Sequence, residues 1–178
     1  MKPRKETYAE KTTNDVYKDV GQDSGLPAED IAAIGGLESE HGKYNKPMKG
    51  GSAEGLFQFQ PDTAEHLDKG SSKSLDDMNT QSKLMKLYLD KNKVDNVEDA
   101  FVKHNLGPGR GEKFMSAADH ELVASVIPAN VIRANPSLYN VKTIGEARKK
   151  IKDRLNAGRE SSDVKPNFLD MFKGNKDE

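Results

Sequence analysis

Glu38 falls on the apolar stripe of a short helical stretch, at i, i+3, i+7 with Ile31 and Ile34. Burial against isoleucine disfavours an ionised carboxylate and raises its pKa, and the negative end of its own helix acts the same way. A carboxyl group kept protonated near neutral pH can give a proton to a leaving oxygen. From periodicity alone the plainer reading is favoured, a helix-end glutamate turned to water. Two later segments carry further polar groups. In Gly55-Leu56-Phe57-Gln58 the glycine lets backbone approach a ligand. Gln58 supplies both a donor and an acceptor, the pattern an acetamido or hydroxyl group needs. His104-Asn105 closes a helix just before Gly107-Pro108-Gly109. Singly, each is an ordinary packed turn or helix end.

The elements that would hold these residues are helical. Val16, Tyr17 and Val20 mark a short amphipathic helix ended near Ser24-Gly25, and Leu26-Pro27 opens the next, with Glu29 and Asp30 at its positive end. Gly35-Gly36 lowers helix propensity but suits close approach by another backbone. Residues 42–53, with Gly42, Pro47, Gly50, Gly51 and Ser52, read as a loop. Pro61 starts a helix that Lys69-Gly70 breaks. Asn79 or Thr80 caps another, with Leu84, Leu87, Tyr88 and Lys91 on one face; Asn96 caps a third, ending near Asn105. Gly107-Pro108-Gly109 reads as a turn. Phe114, Leu122, Val123 and Val126 suggest further helix before Pro128, and Thr143-x-x-Glu146 is a capping box for a last basic helix to about Leu155. No strand alternation or internal repeat is visible, so the expected fold is all-α. The expected organisation is a flexible lead at 1–12, one domain at 13–156 and a polar tail at 157–178. In that tail Phe168, Leu169, Met171 and Phe172 form a small apolar cluster.

The 178 residues suit one modest core. Lys plus Arg (28) nearly balances Asp plus Glu (29), which gives no electrostatic case for nucleic acid as partner. With no cysteine there is no disulfide or thiolate metal site. No signal peptide is visible, and no apolar run approaches the ~20 residues of a membrane span. His41, His66, His104 and His120 lack metal-ligand spacing, so no metal or cofactor is expected. Gly107 to Gly111 is no P-loop. Ser39 and His41, neighbours in sequence, do not make a nucleophile–base pair. The run Arg148-Lys149-Lys150-Lys152 reads as a solvated helix face.

Together the three segments resemble the catalytic domain of soluble lytic transglycosylases, a branch of the lysozyme-like superfamily. The family's Glu-Ser pair is similar to Glu38-Ser39. Its Gly-Leu-Met-Gln-x-x-Pro-x-Thr-Ala segment is similar to the ten residues from Gly55 to Ala64. Its Ala-Tyr-Asn-Ala-Gly-Pro-Gly segment is similar to the seven from Lys103 to Gly109. The resemblance covers roughly residues 14–125, and the stretch from Pro128 through Tyr139 to Glu146 is similar to the ending of phage virion-associated members. Phe57 stands where the family has Met, His104 where it has Tyr, and Lys103 and Leu106 where it has small residues.

The resemblance implies a lysozyme-like helical domain with a substrate groove and peptidoglycan glycan strands as substrate. It implies cleavage of the β-1,4 bond from N-acetylmuramic acid to N-acetylglucosamine. Glu38 is the implied general acid and then base, closing a 1,6-anhydro ring. Ser39, Gln58, Gln60, His104 and Asn105 are the implied sugar contacts, and Tyr139 the nearest match to a tyrosine that orients the acid. His104 in this role would titrate near neutral pH. Glu40, two residues from Glu38, lies on another helix face and is expected to meet solvent. The implied setting is a phage virion acting on the host periplasm or cell wall, with the termini available to other virion or tail proteins. A hydrolytic lysozyme on the same scaffold, and an inactive structural virion protein, are the alternatives.

Overall fold

Thr12 starts the first helix by a reciprocal pair of bonds. Its hydroxyl accepts from the Asp15 N–H at 3.2 Å, while the Asp15 carboxylate accepts from the Thr12 N–H at 2.9 Å. The helix, α1 (Thr13–Ser24), ends on Gly25 at φ +76°, and buries Val16, Tyr17 and Val20 as the periodicity predicts. The computed structural model describes residues 11–47 and 51–164. In α2 (Ala28–Ser39), Pro27 stands one place before the first helical residue, with Glu29 and Asp30 in the first turn. After a looped segment come α3 (Pro61–Leu67), a 3₁₀ turn (Ser71–Lys73), α4 (Met78–Asn92) and α5 (Val97–Leu106). There follow α6 (Pro108–Ser116), α7 (Val123–Val126), α8 (Ala129–Ala134), α9 (Pro136–Tyr139) and α10 (Ile144–Glu160). The described residues form ten α-helices and no strands, with isolated antiparallel bridges at Glu54–Phe59 and Leu122–Thr143. The all-α expectation therefore holds at the level of class. Among the described residues, no helix is long and apolar enough to cross a membrane.

Several boundaries differ from the expectation, each for a local reason. Asp77, rather than Asn79 or Thr80, caps α4, its carboxylate accepting from the Thr80 N–H at 2.7 Å. The buried face of α4 is Gln81, Leu84, Met85, Tyr88 and Leu89; Leu87 is half-buried and Lys91 exposed. Gly107-Pro108-Gly109 is more than a turn, because Pro108 is the first residue of α6. There its missing N–H costs nothing and its fixed φ suits a helix.

α2 is central to the core, with Ile31, Ala32, Ala33 and Ile34 wholly buried. α10 lies close against it. A Cβ on Gly36 would stand 3.2 Å from the Gly158 Cα, and one on Gly158 only 2.8 Å from the Ala33 carbonyl oxygen. The close backbone approach expected at Gly35-Gly36 thus occurs at Gly36. Gly35 instead makes room for the Tyr17 ring. The Arg159 guanidinium fastens the same helix pair, with Nη2 2.6 Å and Nε 2.7 Å from Asp30 Oδ1. α10 runs on through Glu160, past the expected end near Leu155, and Val164 is buried. Arg148 is not on the solvated face. Its Nη2 donates to the carbonyls of Phe114, Met115 and Ala117, each at 2.8 Å, where α6 ends. Lys149 and Lys152 are exposed. The cluster at 168–172 lies outside the described residues, as does most of the lead.

Candidate active site

α2 stops because Glu40 and His41 adopt left-handed backbone, φ +48° and +58°. The chain turns back there, and Ser39 becomes a joint. Its hydroxyl lies 2.7 Å from the Leu56 carbonyl and 3.2 Å from that of Gly35, and accepts from the Gly42 N–H at 2.8 Å. Ser39 is 1 % exposed. With its hydroxyl fully engaged behind the surface, it does not occupy the substrate-facing place expected of it; it ties the acid helix to the 55–58 turn.

That turn is a tight reversal. Glu54 and Phe59 exchange both backbone bonds at 3.1 Å, with Gly55 at φ +83° and Gln58 at φ +51°. A Cβ on Gly55 would stand 2.2 Å from the Leu75 carbonyl oxygen and 2.3 Å from Gln81 Nε2. The glycine therefore makes room for protein and not, as expected, for a ligand. Gln81 is wholly buried. Its Oε1 accepts from the Phe57 N–H at 2.8 Å and its Nε2 donates to Leu75 at 2.7 Å. Sequence reasoning missed this residue. The available signal was an amide on the apolar face of α4, three and seven positions before Leu84 and Tyr88.

Gln58 offers less than expected. Its Nε2 donates to the Gly55 carbonyl at 2.9 Å and the Tyr44 carbonyl at 3.2 Å, so Oε1 is what remains for a ligand. Gln60 is exposed, and its Oε1 accepts from the Ser52 hydroxyl.

α5 brings His104 and Asn105 to the same region. His104 Nε2 lies 2.7 Å from the Phe57 carbonyl. A carbonyl only accepts, so the proton sits on Nε2. The imidazole stands edge-on to Phe59 and Tyr88, with centroids 5.0 and 5.2 Å apart. Burial pushes its pKa below the ordinary value, partly offset by the Phe57 bond. Titration near neutral pH is thus not what its surroundings favour; they hold it neutral. Lys103 turns elsewhere, its ammonium 2.8 Å from Asp99 and 3.1 Å from the Asn92 carbonyl.

Asn105 Oδ1 accepts from the Tyr139 hydroxyl at 2.9 Å. That leaves the Asn105 amide N–H groups without a protein partner among the described residues. Tyr139 is wholly buried and edge-on to Phe114, centroids 6.1 Å apart. Its phenol pKa is raised, first by burial and then by the charge of Glu38.

Glu38 itself is half-buried, and no hydrogen bond or ion pair from the described residues reaches its carboxyl. Burial pushes its pKa up to about 8. Glu40 faces solvent, paired with Lys43 at 3.2 Å. Hydrogen bonds join these segments in series: Ser39 to Leu56, His104 to Phe57, and Tyr139 to Asn105. Two clefts lined by described residues, of about 220 and 290 Å³, lie elsewhere, one beside Tyr17, His41 and Ser161, the other beside Asp23, Lys86 and Asp90.

No protein-family model matches this chain. No curated protein matches it either. Chemically the arrangement is a lone carboxyl whose pKa burial raises, with an amide donor (Asn105) and an amide acceptor (Gln58) in the elements around it. Among the described residues, no group of three or more His, Asp or Glu could hold a metal ion.

Proposed function

We propose that the chain is a peptidoglycan lytic transglycosylase of lysozyme-like fold, with Glu38 as its general acid and base. The observation that carries the reading is the placement of the Glu38 carboxyl, half-buried and without a hydrogen-bond or ion-pair partner among the described residues, at the end of the helix that Ser39 ties to the 55–58 turn and, through that turn, to His104; burial pushes its pKa up to about 8. In this reading the neutral carboxyl gives its proton to the oxygen linking N-acetylmuramic acid to N-acetylglucosamine. The C1–O bond breaks through an oxocarbenium-like state. The carboxylate so formed takes the proton of the muramic C6 hydroxyl as O6 bonds to C1. The products are a 1,6-anhydro sugar and a free hydroxyl on the departing sugar, and Glu38 ends protonated as it began. Asn105 donates to, and Gln58 accepts from, the acetamido and hydroxyl groups of the strand. Tyr139, through its bond to Asn105 Oδ1, is the positioning residue for that amide.

Passage of a phage through a host wall is the setting proposed for this activity. Purified peptidoglycan is the deciding substrate: digestion by the full chain is expected to yield anhydro-muropeptides by mass spectrometry, and Glu38→Gln to yield none. Reducing-end products alone would make the enzyme a hydrolytic lysozyme. No cleavage by the wild type would leave a structural virion protein as the better description.

A further inference from the structure

Tyr44 is an exposed aromatic on a segment whose backbone is tightly held. Its side chain takes no part in the core, and the residue is 55 % exposed. Yet its N–H donates to the Ser39 carbonyl at 2.9 Å, and its carbonyl accepts from Gln58 Nε2 at 3.2 Å. The following carbonyl, Asn45, accepts from the Gly55 N–H at 2.7 Å. The tyrosine is therefore fixed between the residue next to Glu38 and the Gln58 amide, while its ring is left open. The Lys43 ammonium stands 4.9 Å from the ring centroid, so the π face already receives a partner of positive charge.

We propose that the Tyr44 ring is a stacking platform for a sugar unit of the glycan strand, adjacent to the bond that Glu38 attacks. The proposal rests on the transglycosylase reading above. The apolar face of a pyranose carries C–H groups of slight positive charge, which suit the negative face of an aromatic ring. The Lys43 contact is exposed and its ion pair with Glu40 is solvated, so a sugar ring can displace it. A platform here would hold the strand beside Glu38 while Gln58 and Asn105 read its polar edge.

The test uses the full chain carrying Glu38→Gln, which cannot cut, and purified peptidoglycan as the probe in co-sedimentation. Tyr44→Ala in that background is expected to weaken binding about tenfold, and Tyr44→Phe to leave it unchanged. In the cleaving enzyme, Tyr44→Ala should raise KM with kcat within about twofold. Because the side chain is exposed, thermal melts should match the parent. If the Glu38→Gln protein sediments and Tyr44→Ala sediments equally well, the platform is wrong while the function stands. If Tyr44→Phe is as weak as Tyr44→Ala, the hydroxyl and not the ring is responsible, and stacking is wrong. If the Glu38→Gln protein does not sediment at all, the function itself fails, and the platform with it.

Discussion

The Tyr139 hydroxyl donates to Asn105 Oδ1 across 2.9 Å, linking α9 to the end of α5. One bond thus fixes both the Tyr139 ring and the Asn105 amide. Tyr139→Phe removes it and leaves the Asn105 oxygen without its donor. Stability should fall by about 1–2 kcal/mol in urea unfolding. Activity on purified peptidoglycan should drop by at least about tenfold, because the Asn105 amide loses the bond that orients it.

Glu38 has a pH signature of its own. Its ordinary value is 4.5 and its folded value about 8. Between these the folded chain keeps a proton that the unfolded chain has lost, so the Glu38 contribution to stability is full below 4.5 and declines as pH rises to about 8. Glu38→Gln should therefore gain stability relative to wild type as pH rises across that window, measured as the difference in urea midpoints at pH 5, 6.5 and 8. A difference independent of pH would contradict the buried-acid description. For the wild type, turnover of purified wall should fall above about pH 8 as the acid loses its proton.

The 55–58 reversal should be intolerant of any added atom. Gly55→Ala places a Cβ 2.2 Å from a backbone oxygen at φ +83°, and should cost at least about 3 kcal/mol or prevent folding. Gln81→Leu keeps the volume but leaves the Phe57 N–H and Leu75 carbonyl unpaired. About 2–4 kcal/mol should be lost on chemical denaturation, and activity should fall with it as the turn loosens.

Arg148→Ala should separate stability from chemistry. Three carbonyls at the end of α6 lose their donor, at about 1–3 kcal/mol. Turnover of the surviving folded protein should be unchanged, which activity normalised to folded fraction would check.

Features with a period or a local pattern were legible in the sequence, and those built from side chain to distant backbone were not. The Ile31–Ile34–Glu38 spacing revealed an acid on an apolar stripe, and Thr143 with Glu146 revealed the start of α10, because each lies within about two turns of chain. Ser39 looked like a ligand contact because nothing in its neighbourhood announces a bond to Leu56, 17 positions on. Arg148 looked solvated because its neighbours are lysines, while its partners lie 31 to 34 positions back. Pro108 between two glycines read as a turn, although proline fits the first position of a helix equally well. Gln81 carried a signal, a lone amide on a buried face, that only the turn it supports makes intelligible.

The pairing of Gly36 with Gly158 bears on how the molecule can be cut down. Composition invites trimming near residue 157, where apolar periodicity fades. A chain excised there would forfeit the Arg159 clamp on Asp30 and expose the flank of the very helix that carries the acid. A fragment that stops near residue 157 should therefore fail to express in soluble form, even though Glu38, Gln58 and Asn105 are retained.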